Sequence, residues 1–160
     1  FNKHVFTSKK QSTWWADFKR THRYNNVFLI GRTEGLRGII KHLKKNDAPF
    51  VYLPDQDFGY KESIFVNFFG VKTATIPGLS RIATLVHAKV IPAIPTRNKD
   101  STVTLRFYPP WENFPTKDIE ADTQRMNDFI EARVLEHPEQ YFWLHKRFKT
   151  RPEGEPSFYE

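Results

Sequence analysis

The chain has 160 residues, 39% of them hydrophobic and 16% aromatic, enough for a domain with a buried core and too apolar for a disordered polymer. No apolar run approaches the roughly 18 residues of a spanning helix, and the N-terminus lacks the charged, apolar and small-residue pattern of a signal peptide. A formal net charge of +7 points to a polyanionic partner, whether nucleic acid, anionic lipid, an acidic carrier protein or a phosphorylated substrate. With no cysteine there are no disulfides or thiolate metal sites, which suits the cytoplasmic side, and a start on Phe1 is what a piece of a longer protein would show.

In chain order, residues 11–25 read as a short amphipathic helix with Trp14, Trp15 and Phe18 on one side and Lys19, Arg20 and Arg23 elsewhere. VFLI (27–30) is a strand ending at Gly31 and Arg32. Leu36, Ile39, Ile40 and Leu43 then fall at i, i+3, i+4 and i+7, which predicts a helix with one buried face, stopped by Asn46-Asp47-Ala48-Pro49. FVYL (50–53) is a second buried strand halted by Pro54. PDQDFGYKES (54–63) is turn-rich, and IFVNFFGVKTATI (64–76) reads as a strand or extended loop. Pro77 opens a helix that GLSRIATLVHA continues. KVIPAIP (89–95) and STVTLRFY (101–108) are further strands, and PPWENFP (109–115) is a rigid turn. Residues 117–136 form a polar helix striped by Met126, Phe129, Ile130 and Val134, and EQYFWLHKRF (139–148) a last helix. Strands alternating with helices predict a single α/β domain over 1–160, a sandwich around a largely parallel central sheet flanked by helices.

One histidine stands at a suggestive spacing. His42 precedes Asp47 by five positions, the His-x4-Asp arrangement in which a histidine acts as general base and a carboxylate orients it. On a helix such residues lie about 140° apart around the axis, so Asp47 could reach His42 only from beyond the helix end. Lys41, Lys44 and Lys45 flank His42 and disfavour a further positive charge on it. The pair is therefore expected to be a coincidence of spacing.

YLPDQDFG (52–59), AKVIPAIPTR (88–97) and above all HPEQYFWLHKRFKTRPEGEPSFY (137–159) resemble the C-terminal half of the lipid A biosynthesis acyltransferases, the late lauroyl and myristoyl transferases of Gram-negative bacteria. The resemblance covers roughly residues 23–160, with 1–22 matching least clearly. It implies a glycerophosphate-acyltransferase-like fold and transfer of a fatty acyl chain from acyl carrier protein to a hydroxyl of a phosphorylated lipid A precursor, with no cofactor, no metal and no nucleic acid. The implied location is the cytoplasmic face of the inner membrane, reached through an N-terminal hydrophobic helix. The family's own His-x4-acid segment, of the type His-Phe-Gly-Asn-Trp-Glu, lies upstream of the matched region and is absent from these 160 residues.

Under the same resemblance FLIGR (28–32) takes the place of the second acyltransferase block, and Arg32 is the candidate to hold a substrate phosphate or the developing oxyanion, since a guanidinium stays charged and offers forked donors. LPDQD (53–57) takes the third, with Asp55, Gln56 and Asp57 at the mouth of a strand, where α/β proteins build sites; Asp55 is the candidate catalytic residue among them. VIPAIPTR (90–97) resembles the fourth, in which Pro92 and its apolar neighbours shape the acyl pocket and Arg97 follows as a substrate contact. Lys146, Arg147, Lys149 and Arg151 surround Phe148. Cations interleaved with an aromatic fit a membrane interface, a phosphorylated glycolipid or a nucleic acid, and the resemblance favours the first two. A related acyltransferase with another lipid acceptor, and a basic nucleic-acid-binding domain, are the alternatives.

Overall fold

The computed structural model describes residues 3–7, 27–31, 35–46 and 49–159, and the chain divides into two compact units, Phe1–Leu53 and Pro54–Glu160. In the first, β1 (Lys3–Thr7), β2 (Val27–Gly31) and β3 (Phe50–Val51) pair parallel in the order β2-β1-β3. Parallel strands need crossover connections, and α1 (Gly35–Asn46), lying against β2, belongs to the one that joins β2 to β3. Its stripe is borne out in part: Ile39 and Leu43 are buried and Ile40 is half-buried, but Leu36 in the first turn is exposed, as are Lys41, Lys44 and Lys45. Two of those lysines lie in the last turn, where cations complement the helix dipole. The helix expected over 11–25 and the candidate Arg32 lie outside the described residues.

The second unit contains two antiparallel hairpins, two helices and a closing segment in irregular turns. The 64–76 run is a hairpin of β4 (Ile64–Phe68) and β5 (Val71–Thr75), in register Ile64↔Thr75 to Phe68↔Val71. Its two-residue turn is Phe69 and Gly70, with φ of 51° and 73°; positive φ at both central positions is the type I′ geometry whose twist suits a hairpin. Side chains complete its open edges. The Gln124 carboxamide accepts from the Asn67 N–H (2.7 Å) and donates to the Asn67 carbonyl (3.1 Å), while on β5 Arg147 donates to the Ala74 carbonyl (2.7 Å) and Arg151 to that of Lys72 (2.5 Å). An unpaired strand edge invites pairing with another chain, and these groups occupy it.

α2 (Gly78–Val86) follows Pro77 and stops at His87, whose φ of 53° lets the Ala88 N–H reach the Ala83 carbonyl at 3.0 Å. α3 (Ile119–Glu136) is capped by Asp118, which accepts from the Ala121 N–H at 2.9 Å. Met126 and Val134 are buried on α3 as expected, and Phe129 packs edge-on to Tyr108 and Trp111. The helix also buries Asp122, Thr123 and Asn127; Asp122 accepts from Ser80 Oγ (2.6 Å) and the Thr116 N–H (2.9 Å), joining α3 to α2 and to the preceding turn.

β6 (Ala93–Arg97) and β7 (Val103–Phe107) pair with each other, Ala93↔Phe107 to Arg97↔Val103. The class is mixed α/β, and parallel pairing is confined to the first unit. Connections as short as 69–70 and 98–102 close antiparallel pairs. The expected last helix is likewise two short 3₁₀ turns, Pro138–Gln140 and Trp143–His145, ended by Lys146 at φ 51°. Tertiary packing decides this: the Tyr141 and Phe148 rings lie 6.1 and 6.0 Å from that of Phe68, a placement that favours irregular backbone over local helix propensity.

Candidate functional site

The PDQD turn opens the second unit, and its three polar side chains divide the work. Asp57 is buried, at 5% exposure. Its Oδ1 accepts from the Gly59 N–H (2.8 Å) and Thr150 Oγ1 (2.9 Å), and its Oδ2 from the Thr150 N–H (2.9 Å). Gly59 sits at φ 85°, a conformation glycine adopts without steric cost. Asp57 is thereby an anchor, tying the turn to a closing segment 93 positions away. Gln56 is exposed. Asp55 is half-buried, and among the described residues no hydrogen-bond donor lies on its carboxylate; its field nevertheless reaches Tyr141 and Arg147.

Arg147 is 1% exposed, with Nη1 on the Ala74 carbonyl, Nη2 on Thr75 Oγ1 (2.7 Å) and the guanidinium 5.6 Å above the Phe68 ring. Burial pulls its pKa down, and electrostatic interactions with Tyr141, Asp57 and Asp55 oppose that pull. The Tyr141 phenol is pushed up from its ordinary value, first by burial and then by Asp55; its hydroxyl lies 3.4 Å from His145 Nε2. A partly open carboxylate can accept a hydrogen bond from a ligand hydroxyl or amide.

The four closing cations do not form one surface cluster. Lys146 and Lys149 are exposed, Lys146 lying 5.5 Å from the Tyr159 ring. Arg147 is in the core, and Arg151 is committed to the Lys72 carbonyl, to an ion pair with Glu155 and to the Phe158 ring at 4.6 Å. Pro92 is half-buried at the foot of β6, its carbonyl accepting from the Tyr108 N–H at 2.9 Å. The Arg97 side chain is exposed, and the Gln140 carboxamide pairs with its backbone N–H and carbonyl at 2.8 and 3.1 Å. Tyr141 and Thr150 are the participants that pattern reading missed. The Asp-x-Gly of residues 57–59 carries the signal of an Asx turn, but nothing local marks Thr150 as its partner.

His42 is half-buried on α1 in the first unit, and Asp47 lies outside the described residues. In the complete protein His42→Ala is expected to leave turnover within about twofold. A positioned general base would cost about 100-fold or more, so an initial-rate assay separates the two readings.

A family profile described as bacterial lipid A biosynthesis acyltransferase matches residues 14–150, taking in the PDQD turn, Pro92, Arg97 and most of the closing segment. Over 137 residues the chain is 42% identical to the lipid A biosynthesis lauroyltransferase of Escherichia coli (strain K12), covering 84% of this chain and 44% of that protein. It is 40% identical over 147 residues to the lipid A biosynthesis palmitoleoyltransferase of the same organism, covering 91% and 47%. A lipid A biosynthesis acyltransferase of Haemophilus influenzae is 39% identical over 127 residues, covering 79% and 39%. The chain spans about half the length of the curated relatives it matches, or somewhat less. A profile match across most of the chain, joined by identities at this level, means that the chain belongs to the bacterial lipid A biosynthesis acyltransferase family.

Proposed function

We propose that the chain serves the transfer of a fatty acyl group from an acyl carrier protein thioester to a hydroxyl of a phosphorylated lipid A precursor, at the cytoplasmic face of the inner membrane. It would form the C-terminal portion of a glycerophosphate-acyltransferase-like α/β sandwich, with β1, β2 and β3 as part of a larger parallel sheet. The observation that carries this reading is the family match over residues 14–150. The thioester is the co-substrate, and the reaction calls for no cofactor.

In this scheme a general base outside the matched residues takes the proton of the acceptor hydroxyl, whose oxygen attacks the thioester carbonyl. The tetrahedral oxyanion collapses, the C–S bond breaks, and the leaving thiolate takes up the proton. Arg32 stabilises the oxyanion or holds a substrate phosphate. Asp55 accepts a hydrogen bond from the acceptor and orients it, and Gln56 beside it supplies a further polar contact. Pro92 and its neighbours shape the acyl pocket, while Arg97, Lys146 and Lys149 meet phosphates. Asp57, Arg147 and Arg151 support these groups through the backbone contacts described above.

The test is an assay of the complete protein with acyl carrier protein bearing a radiolabelled acyl chain. Label is expected to pass to the lipid A precursor only when carrier and precursor are both present. Transfer to a lysophospholipid with none to the precursor would overturn the proposed acceptor, and nucleic-acid binding that falls steeply with salt, without any transfer, would overturn the enzyme reading.

A further inference from the structure

The cations of the closing segment end in different environments, and residues 152–159 turn back across the segment to settle two of them. Phe158 packs on Phe148, with ring centroids 5.6 Å apart, and takes the Arg151 guanidinium at 4.6 Å. Tyr159 takes Lys146, whose Nζ stands 5.5 Å from the ring centroid, inside the roughly 6 Å over which the negative face of an aromatic ring attracts an ammonium. Lys149 is exposed, and among the described residues no ring or carboxylate holds it.

The ring that holds Lys146 is itself fixed. The Tyr159 hydroxyl accepts from the Phe148 N–H at 3.3 Å. The Ser157 hydroxyl donates to the Tyr159 carbonyl at 2.6 Å and accepts from the Tyr159 N–H at 3.1 Å. Lys146 meets the ring from the end of a 3₁₀ turn, in the left-handed conformation with φ of 51°. The phenol also interacts electrostatically with Arg147 and Tyr141, the two groups that Asp55 reaches as well.

A lysine side chain loses rotamer freedom when it meets a phosphate, and a contact that has already confined it lowers that cost. A ring on one side of an ammonium leaves N–H donors free for an anion on the other, and Lys146 is exposed.

We infer that Tyr159 is a positioning residue for substrate binding, ordering the Lys146 ammonium to receive a phosphate of the lipid A precursor. The inference rests on the proposed reading that Lys146 meets a substrate phosphate, and the experiment separates the two.

Initial rates are measured in the complete protein over a range of precursor concentrations. Tyr159→Leu is expected to raise the KM of the precursor about three- to fivefold with kcat within about twofold of wild type, the pattern of a contact made equally in ground and transition states. Lys146→Met should raise KM further. Tyr159→Phe keeps the ring and is expected to keep the wild-type KM. In the Lys146→Met background Tyr159→Leu should add nothing, because the ring then has no ammonium to order. Ring-fluorinated phenylalanines at position 159 weaken the negative ring face at nearly constant shape, so KM should climb with each fluorine, a reading that holds where the leucine variant fails to fold. A wild-type KM for Tyr159→Leu, an equal rise in the Lys146→Met background, or a KM indifferent to fluorination would overturn the inference and leave Lys146 as a phosphate contact. A wild-type KM for Lys146→Met would remove Lys146 from the site, and the inference with it, while transfer of the radiolabel stands.

Discussion

Arg147→Met is expected to destabilise the chain by about 2–4 kcal/mol, read as a lower urea midpoint at unchanged slope. The guanidinium donates to the Ala74 carbonyl and Thr75 Oγ1, each at 2.7 Å. Two hydrogen bonds from a charged donor contribute about 1.5–3 kcal/mol each. Removing the charge also relieves the desolvation that burial imposes on it, and for buried ion pairs an apolar replacement of similar volume is often neutral. Here the two effects do not cancel. Methionine leaves the Ala74 carbonyl on the β5 edge without its donor, and it removes the cation whose field faces Asp57 and Asp55. Thr75 Oγ1 is partly protected, because Asn127 Nδ2 also approaches it at 3.3 Å, which keeps the expected loss below the sum of two full bonds. For a chain of this size the thermal midpoint should fall by roughly 5–15 °C. Stability within about 0.5 kcal/mol of wild type would mean that the buried guanidinium is dispensable to the hairpin.

Asp55→Asn in the complete protein is expected to lower kcat/KM by about 100- to 1,000-fold, the scale of a positioned carboxylate in acid–base or orienting work. Asparagine keeps the shape and one acceptor oxygen but loses the charge, and charge-assisted hydrogen bonds are roughly twice as strong as neutral ones. If the bond from the acceptor strengthens as its hydroxyl is deprotonated, kcat and kcat/KM should fall together; a rise in KM alone would instead mark uniform binding. Asp55 is half-buried, and among the described residues no donor holds it, so the substitution breaks no internal bond. A wild-type rate for Asp55→Asn would remove the carboxylate from the site.

What pattern reading recovers from this chain is local periodicity, and what escapes it is pairing between distant segments. α1 and α3 were legible because Leu36, Ile39 and Leu43, and Met126 and Val134, repeat at helical spacing. β1 was not, being five residues without a flanking turn signal. The β4–β5 turn was hidden by its residues: type I′ hairpins announce themselves by Asn-Gly or Asp-Gly, and Phe69-Gly70 puts a bulky aromatic at positive φ. In the closing segment HKRFK reads as a run of surface charge, because nothing local reports the β5 acceptors 72 and 73 positions earlier that take Arg147 inside. Asp57 and Thr150 are separated as widely, and the same limit applies. The resemblance makes the PDQD turn a candidate site, and the geometry separates its two carboxylates, Asp57 buried on Thr150 and Asp55 half-buried.

That division of labour between Asp55 and Asp57 is tested most directly by making Asp55→Asn and Asp57→Asn in the same complete protein and measuring thermal midpoint and initial rate of acyl transfer side by side. Asp57 accepts from three donors, two of them on Thr150, and an amide there would set an N–H against an N–H at a cost of about 1–3 kcal/mol. The expected result is a crossed pattern. Asp57→Asn lowers the midpoint by several degrees and keeps activity at temperatures where it remains folded, whereas Asp55→Asn keeps the wild-type midpoint and loses two to three orders of magnitude in rate. Equal losses of stability and rate in both variants would show that the turn acts as one structural unit, and would contradict the assignment of Asp55 to the site.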